Sequence, residues 1–307
     1  MSEYHNKPDL FLEPKTTQYG SHMIMSNVNK PTKMKYVNID TKFRDEYNYL
    51  QTSNYNITLP QRINDVKTMR LTNIEIPMTI YNISANLGNN YFKIINPSNS
   101  ASKMVVLPDG NYTKTTLISA MNTAITALSA TPFTNLVYAA TDGNKSVFTT
   151  TSANITVEFD VDSTGQPDKY NVKSKLGWLL GFRNFIYAIT TAINATSESF
   201  IDLLGPKYLY LAVEEFNKGN QNSFITPLSS SLVNKNVIAR ITMNGATYPF
   251  GQILPANQYN ALLISDKRNY TGKIDLQKLN VQLINEYGVA MSLNGMDFSF
   301  CLEIEHE

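Results

Sequence analysis

Histidine, cysteine and paired carboxylates are the groups most often used for catalysis and metal binding, and this chain places few of them usefully. Its three histidines, His5, His22 and His306, all lie within the first 22 or the last two residues. Mechanisms that pair histidine with a serine or cysteine nucleophile need an imidazole held by a rigid scaffold. The single cysteine, Cys301, excludes an internal disulfide and any multi-cysteine metal site within one chain. It also indicates maturation in a reducing compartment.

The carboxylates offer two candidate sites, and both have simpler explanations. Glycosidases need only two acids, but Glu214 and Glu215 are adjacent on a predicted strand and point to opposite faces. We interpret them as one solvated side chain and one paired or edge position. Residues 160–165 resemble the first half of a calcium loop, yet the twelfth position is Asn171, where a bidentate glutamate is required. A turn is therefore expected there.

No glycine-rich phosphate-binding motif occurs in the sequence. Together with the poor placement of histidines and acids, this predicts no catalytic residue, no cofactor site and no metal site. We therefore expect a protein that is not an enzyme.

Composition narrows the classes of partner. The chain has 307 residues, 26 basic and 25 acidic, so its formal net charge is +1. A nucleic-acid surface needs a basic face, which this balance disfavours. No apolar run approaches the ~20 residues of a membrane helix, and the first 30 residues lack the apolar stretch of a signal peptide. With 42% hydrophobic residues, the chain can bury a sizeable core.

The chain divides into an arm and a strand-rich remainder. Residues 1–34 are polar, contain prolines and show no regular period, so we predict an extended arm that orders only on a partner. Residues 35–307 are predicted to form a single domain, with an insertion expected within about 110–200. The predicted strands are 36–40, 55–60, 66–77, 91–95, 103–107, three between 136 and 159, 207–216, 237–243, 273–285 and 298–304.

Three segments carry more specific predictions about burial. The mixed apolar pattern of 66–77 suits a strand buried on both sides. Residues 117–128 repeat apolar side chains at spacings of three and four, which predicts one helix packed on a sheet. Trp178, within the apolar segment 176–182, is expected to lie in the core.

The last two strands have informative periods. The alternation of 273–285 slips by one residue at Gln277–Lys278, which indicates a β-bulge. The final strand alternates strictly, so one set of side chains is predicted to face the core and the other to face away. The core set is Phe298, Phe300, Leu302 and Ile304, and the outer set is Ser299, Cys301, Glu303 and Glu305.

Ten or more short strands with one main helix predict an all-β, or β-dominant, fold. Because strands do not alternate with helices, an antiparallel β-sandwich is favoured over a parallel sheet. Two strand-rich halves separated by a long excursion fit a single jelly roll with insertions.

Six segments of the chain are informative together: 43–45, 73–77, 107–112, 176–182, 208–216 and 272–279 leading to 297–304. They occur in the same order in virion proteins of large icosahedral double-stranded DNA viruses. The chain resembles their penton and minor capsid proteins, which have a single jelly roll. The resemblance covers roughly residues 36–305 and rests on the order and spacing of the segments together.

The resemblance implies a structural virion protein, a penton protein with five copies at each fivefold vertex. Its partners would be its own copies, major capsid protein trimers and other minor capsid proteins, with neither nucleic acid nor a membrane span involved. Ring contacts would be heterologous. The implied location is the capsid of a virion assembled in the host cytoplasm. The 35 asparagines and the 6 arginines among 26 basic residues fit A/T-rich codons.

Three alternatives stay open. A non-vertex minor capsid protein of the same shell belongs to the same class. A carbohydrate-binding jelly roll would need exposed aromatic and acidic side chains clustered on one face. A glycosidase is disfavoured because no suitable acid pair is evident.

Overall fold

The computed structural model describes residues 31–46, 48, 51–216, 220–221 and 236–307. Its strands are β1 Lys33–Asp40, β2 Asn54–Pro77, β3 Tyr91–Ile95, β4 Ser102–Val106, β5 Leu136–Ala140, β6 Ser146–Thr150, β7 Ile155–Glu158, β8 Ile186–Ile189, β9 Ala195–Thr196, β10 Tyr208–Glu214, β11 Asn220–Gln221, β12 Val237–Thr242, β13 Ile253–Asn257, β14 Leu263–Ser265, β15 Arg268–Ile284 and β16 Ser299–His306. Its α-helices are α1 Lys114–Thr126 and α2 Leu176–Leu179, and short 3-10 helices span Thr41–Phe43, Phe133–Asn135, Val172–Ser174 and Gln258–Asn260.

The main antiparallel sheet has the strand order β1-β16-β2-β15-β10-β12-β14, with β11 added to β15 and β13 to β2. This sheet curls on itself. Tyr55, near the start of β2, packs edge-on against Phe298 with 6.2 Å between ring centroids. The next residue, Ser299, pairs with Glu75 near the end of the same strand. The two ends of β2 therefore meet across one core, and the predicted all-β antiparallel sandwich of jelly-roll type with one main helix is confirmed.

Several strand ends meet at one end of the sandwich, which we call the junction end. The backbone N–H of Met291 donates to the carbonyl of Leu283 over 2.9 Å, and the hydroxyl of Thr79 donates to the carbonyl of Leu293 over 2.7 Å. The first bond holds the chain that follows β15 against the end of that strand, and the second joins it to the chain that follows β2. The chain leaves the sandwich here after β2 and returns here at β10.

The final strand confirms its predicted period. The four residues predicted to face inward are at most 2% exposed and belong to the sandwich core: Phe298, Phe300, Leu302 and Ile304. On the opposite face, Glu303 lies 2.7 Å from Arg70 and Glu305 lies 3.2 Å from Lys267. The outer face of β16 is therefore a ladder of ion pairs rather than free solvated charge.

Strand β2 corrects the expectation that residues 66–77 are buried on both sides. All of the apolar residues concerned are fully buried in the same core: Val66, Met69, Leu71, Ile74 and Ile76. The register between β2 and β16 shifts twice, because Lys67 and Thr72 of β2 have no partner residue in β16. Each shift inserts one residue and turns the following side chains back to the same face. Two bulges thus convert an irregular sequence pattern into a single buried face.

The slip predicted at Gln277–Lys278 is confirmed, because the register of β15 against β2 shifts between Leu276 and Lys278. Leu276 and Leu279, which flank the slip at an odd spacing, are both buried in the sandwich core. The irregularity again keeps apolar side chains on one face.

Between β2 and β10 the chain builds a second core. The predicted helix is confirmed as α1, which buries Leu117, Met121 and Ile125 and begins with a capping box formed by Thr113 and Thr116. Two smaller sheets, β4-β3-β7-β8 and β5-β6-β9, complete the walls. The interior is filled by a cluster of aromatic rings, Phe92, Phe148, Phe159 and Phe182.

The predicted arm, residues 1–34, lies outside the described residues except for 31–34. Its extended character stays a prediction. The single domain 35–307 and the insertion within about 110–200 also stay predictions about domain organisation.

Candidate interaction surface

The residues first considered for chemistry lie apart from one another. Within the described ranges, no three His, Cys, Asp or Glu side chains come close enough to hold a metal ion. Cys301 is buried in β16, and His306 ends that strand with Nδ1 3.0 Å from the carbonyl oxygen of Glu307. His5 and His22 lie outside the described residues. The absence of catalytic, cofactor and metal sites stays a prediction.

Glu215 forms a buried ion pair. Its carboxylate lies 2.8 Å from the guanidinium of Arg268, and the two side chains are 0% and 2% exposed. Arg268 also donates to the carbonyl of Val213 over 2.7 Å. The predicted pairing is confirmed, whereas Glu214 is half-buried rather than solvated and accepts from the side-chain amide of Asn236. Both acids therefore fix the end of β10 in place.

Residues 160–165 form the expected turn. The carboxylate of Asp162 accepts from the hydroxyl of Thr164 over 2.7 Å and from the backbone N–H groups of Thr164 and Gln166 over 2.8 and 3.0 Å. The bonds from Thr164 and Gln166 hold the pKa of Asp162 below its ordinary value. The turn is closed by its own hydrogen bonds, so a calcium loop is not needed to explain it.

A groove of about 920 Å³ lies at the junction end, where the second core meets the loop that follows β15. One wall comes from residues 169–175 and α2, and the other from residues 285–289. The hydroxyl of Tyr287 crosses between the walls and donates to the carbonyl of Lys173 over 3.1 Å. We call this feature the aromatic groove. Its size is at the upper end of the ~300–1,000 Å³ range of ligand pockets.

Trp178 lies in this groove, and the expectation that it belongs to the core is wrong. It is half-buried and lies outside the buried core cluster, and the guanidinium carbon of Arg183 lies 4.0 Å from the ring centroid. Arg183 is held there by hydrogen bonds of 3.0 Å to the carbonyls of Trp178 and Phe182. A cation–π contact with Arg183 therefore holds the indole in the groove wall.

The local sequence explains why Trp178 points outward. α2 is one turn long, and Leu176 and Leu180 occupy its inner side with no exposure. At Gly177 a Cβ would lie 2.4 Å from the ring of Phe159. Gly181 has φ +90°, and a Cβ there would lie 2.3 Å from the carbonyl oxygen of Ser199. The two glycines press the turn against the second core, which leaves the outer side for the indole.

The base of one groove wall is an ion pair. The ammonium of Lys175 lies 2.8 Å from the carboxylate of Asp168 and 3.3 Å from the hydroxyl of Tyr91. Burial favours the neutral form of Lys175, but the hydrogen bonds to Asp168 and Tyr91 outweigh it and raise the pKa of the lysine. The same bond from Lys175 lowers the pKa of Asp168. Both groups therefore stay charged at neutral pH.

A second groove of about 510 Å³ lies on the same end of the sandwich and shares Asn82 and residues 205–207 with the neighbouring cavity beside Trp178. Its lining is mainly apolar, and Leu204 at its rim is 83% exposed. Phe250, also at the rim, stacks on Tyr81 with 5.9 Å between centroids. We call it the apolar groove. Exposed apolar rims of this kind mark interaction surfaces.

Two aromatic rings at the junction end are covered by guanidinium groups. Arg183 lies over Trp178, and Arg240 lies 4.3 Å from the ring centroid of Tyr208. A sugar-binding platform needs an open ring face, which these two covered faces do not offer. Within the described residues, no helix is long and apolar enough to cross a membrane.

Sequence reasoning did not identify either groove, nor the roles of Arg183 and Tyr287. The one local signal was the glycine-bounded segment 176–182, in which a tryptophan precedes an arginine by five residues. That spacing becomes meaningful only when the turn at Gly181 brings the two side chains together.

Comparisons with known proteins were made with both sequence and structure. No family model matches the chain, and no curated protein matches it significantly. Among solved structures, the penton protein of mavirus is similar over 91% of this chain and 100% of its own, with 12% identity and a TM-score of 0.46. A chain of the Sputnik virophage structure is similar over 90% of this chain and 98% of its own, with 12% identity and a TM-score of 0.39. The resemblance given by the sequence names penton proteins, and one of these two neighbours is a penton protein.

Proposed function

We propose that this protein is a structural capsid protein that forms pentamers at the fivefold vertices of an icosahedral virion and contacts the neighbouring major capsid trimers. The proposal places it in the capsid of a virion assembled in the host cytoplasm. Two kinds of observation support it: the sequence resemblance over residues 36–305 and the surface features of the fold.

The observation that carries the proposal is the junction end of the sandwich. Two grooves open there, and apolar side chains stand exposed at their rims, with Leu204 at 83% and Tyr170 at 98%. Apolar surface gathered on one end of a molecule indicates a surface that partners cover. A subunit in contact with its own copies and with other shell proteins needs such a surface.

The edge of the main sheet supports the same role. β1 pairs with β16 on one side, and within the described part of the chain no strand pairs with its other side. It presents Met34 and Tyr36 at 45% and 65% exposure, and these residues alternate along the strand with Lys33 and Lys35. Open strand edges invite pairing with another chain, and lysines limit that pairing to suitable partners. An edge on one side and grooves at one end suit the head-to-tail contacts of a ring.

The acidic groups examined for catalysis have structural partners instead. Glu215 is paired with Arg268, and Glu303 with Arg70. Arg44 lies 2.9 Å from Asp297 and ties the segment after β1 to the start of β16. These pairs stabilise strand connections and engage the acids named here, so none of these acids is available for the acid pair that a glycosidase uses. They support a structural rather than an enzymatic role.

Cryo-electron microscopy of virions that contain this chain tests the proposal. The expected result is five copies of the curled sandwich around each fivefold axis, in contact with the adjacent major capsid trimers. If density for the sandwich is found only at other positions in the shell, the chain is instead a non-vertex minor capsid protein. Its absence from the shell would overturn both.

A further inference from the structure

The aromatic groove carries an excess of positive charge. Four basic residues line it, Lys169, Lys173, Lys175 and Arg183, against one acidic residue, Glu286. Asp168 neutralises Lys175. Within the described residues, Lys169, Lys173 and Arg183 form no salt bridge, although the chain as a whole is close to neutral. The positive charge of these three side chains is therefore not balanced by a salt bridge within the described part of the chain.

The groove also offers apolar contacts between these charges. Phe185 is 39% exposed and Val289 is 44% exposed at its rim, and Trp178 forms part of the floor. The indole face is covered by Arg183, so stacking of a nucleic-acid base on it is blocked. The lining instead suits an extended peptide with carboxylates at its ends and apolar side chains between them.

The chain contains one segment with this pattern outside the described residues. Residues 9–14 read Asp-Leu-Phe-Leu-Glu-Pro, with two acids flanking three large apolar residues. Asp9 and Glu13 equal Lys169 and Lys173 in number and are opposite to them in charge, and residues 10–12 match the apolar rim. Pro14 limits the backbone of Glu13 to extended conformations, which suits binding along a groove.

The direction of β1 indicates which copy supplies the segment. Lys33 pairs with His306 at the end of the sandwich opposite the junction end, and β1 runs from there toward Asp40 at the junction end. The chain therefore enters β1 at the end of the sandwich that lies farthest from its own groove. Residues 15–32 can span at most about 60 Å, which exceeds the length of the sandwich strands and is long enough for the segment to extend beyond its own sandwich.

We propose that the aromatic groove binds the acidic-apolar segment Asp9–Pro14 of a neighbouring copy of this chain. The proposal rests on the self-assembly included in the proposed function and names the contact through which adjacent subunits are linked. Lys169 and Lys173 bind the two carboxylates, and Trp178, Phe185 and Val289 contact the apolar side chains.

Site-specific photocrosslinking in the full chain tests this contact. Benzoylphenylalanine replaces Phe11, and isotopically heavy and light chains are mixed before illumination. The expected crosslinks join position 11 to peptides within 169–185 or 285–289, in heavy-light pairs. Crosslinks that map elsewhere, or that form only within one chain, would overturn the proposal. The same photocrosslinker at Tyr19 is the control for general proximity and should give at least about fivefold less groove crosslinking.

Charge exchange separates specific docking from simple proximity. Lys169→Glu with Lys173→Glu should lower the crosslink yield about tenfold, because attraction becomes repulsion. Asp9→Lys with Glu13→Lys in the same chain should restore it. A matched control, Lys103→Glu with Lys114→Glu, changes the charge equally at exposed positions outside the groove and should leave the yield unchanged. Failure of the charge exchange to restore the crosslink would overturn the proposal.

Native mass of the crosslinked material distinguishes this inference from the proposed function. A pentamer whose crosslinks lie outside the groove would overturn the docking and leave the ring intact. Heavy-light crosslinks in the groove of a species other than a pentamer would support the docking and overturn the ring.

Discussion

Truncation of Phe300 tests the sandwich most directly at the level of a single side chain. Phe300 is 2% exposed, and its ring stacks on Phe298 with 5.9 Å between centroids. Phe300→Ala removes the buried ring and leaves a cavity in the core, which should lower the free energy of unfolding by about 3–5 kcal/mol. Loss of the aromatic pair is included in that range. Because domains are stable by only ~5–15 kcal/mol, the variant should lose a large share of its stability.

The assay is urea denaturation of the full chain followed by two probes. Far-UV circular dichroism reports on all strands, whereas fluorescence of the single tryptophan, Trp178, reports on the groove wall that packs against the second core. Phe43→Ala is the matched control, because Phe43 is 75% exposed and its truncation should change stability by less than about 0.5 kcal/mol. An unchanged midpoint for Phe300→Ala, or an equal loss in both variants, would refute the assigned register of β16.

Three further predictions concern charge and the arm. Arg268→Met should cost about 3–5 kcal/mol by removing the cation that balances the buried carboxylate of Glu215, and adding Glu215→Leu should recover most of it in urea denaturation; no recovery would contradict the pairing. Asp168 has a lowered pKa, so its stabilising bond is complete above its ordinary pKa of 3.8 and is lost as pH falls further below that value. Acid titration of Trp178 fluorescence should therefore show a transition below pH 3.8 that Asp168→Asn removes, and an unaltered transition would exclude this pair as its source. Limited proteolysis should remove the predicted arm as far as the start of β1 at Lys33 and leave a folded remainder, and unfolding on its removal would show that the arm belongs to the domain.

The parts of the fold that follow from local periodicity were predictable from the sequence. β16 alternates without interruption, so its inward residues could be assigned one by one. α1 repeats apolar side chains at spacings of three and four, which was enough to predict a helix and its buried side. These elements have the same environment along their whole length, so a local pattern is sufficient.

Other features depend on contacts between distant segments and were not predictable. The two bulges of β2 appear in the sequence as an irregular period, and only the partner strand β16 shows that both halves face one core. Trp178 is a large apolar residue in an apolar segment, which suggests a core position. Its actual position depends on the close approach of Gly181 to Ser199. The grooves are formed by segments more than 100 residues apart, such as 169–175 and 285–289.

The mass of the purified full chain in solution, measured by native mass spectrometry over a range of concentrations, tests the central claim most directly. The proposed function predicts a species of five times the 34.5 kDa chain mass, persisting on dilution as a closed ring. A trimer, or a monomer at every concentration, would contradict the assignment of this chain to the fivefold vertex.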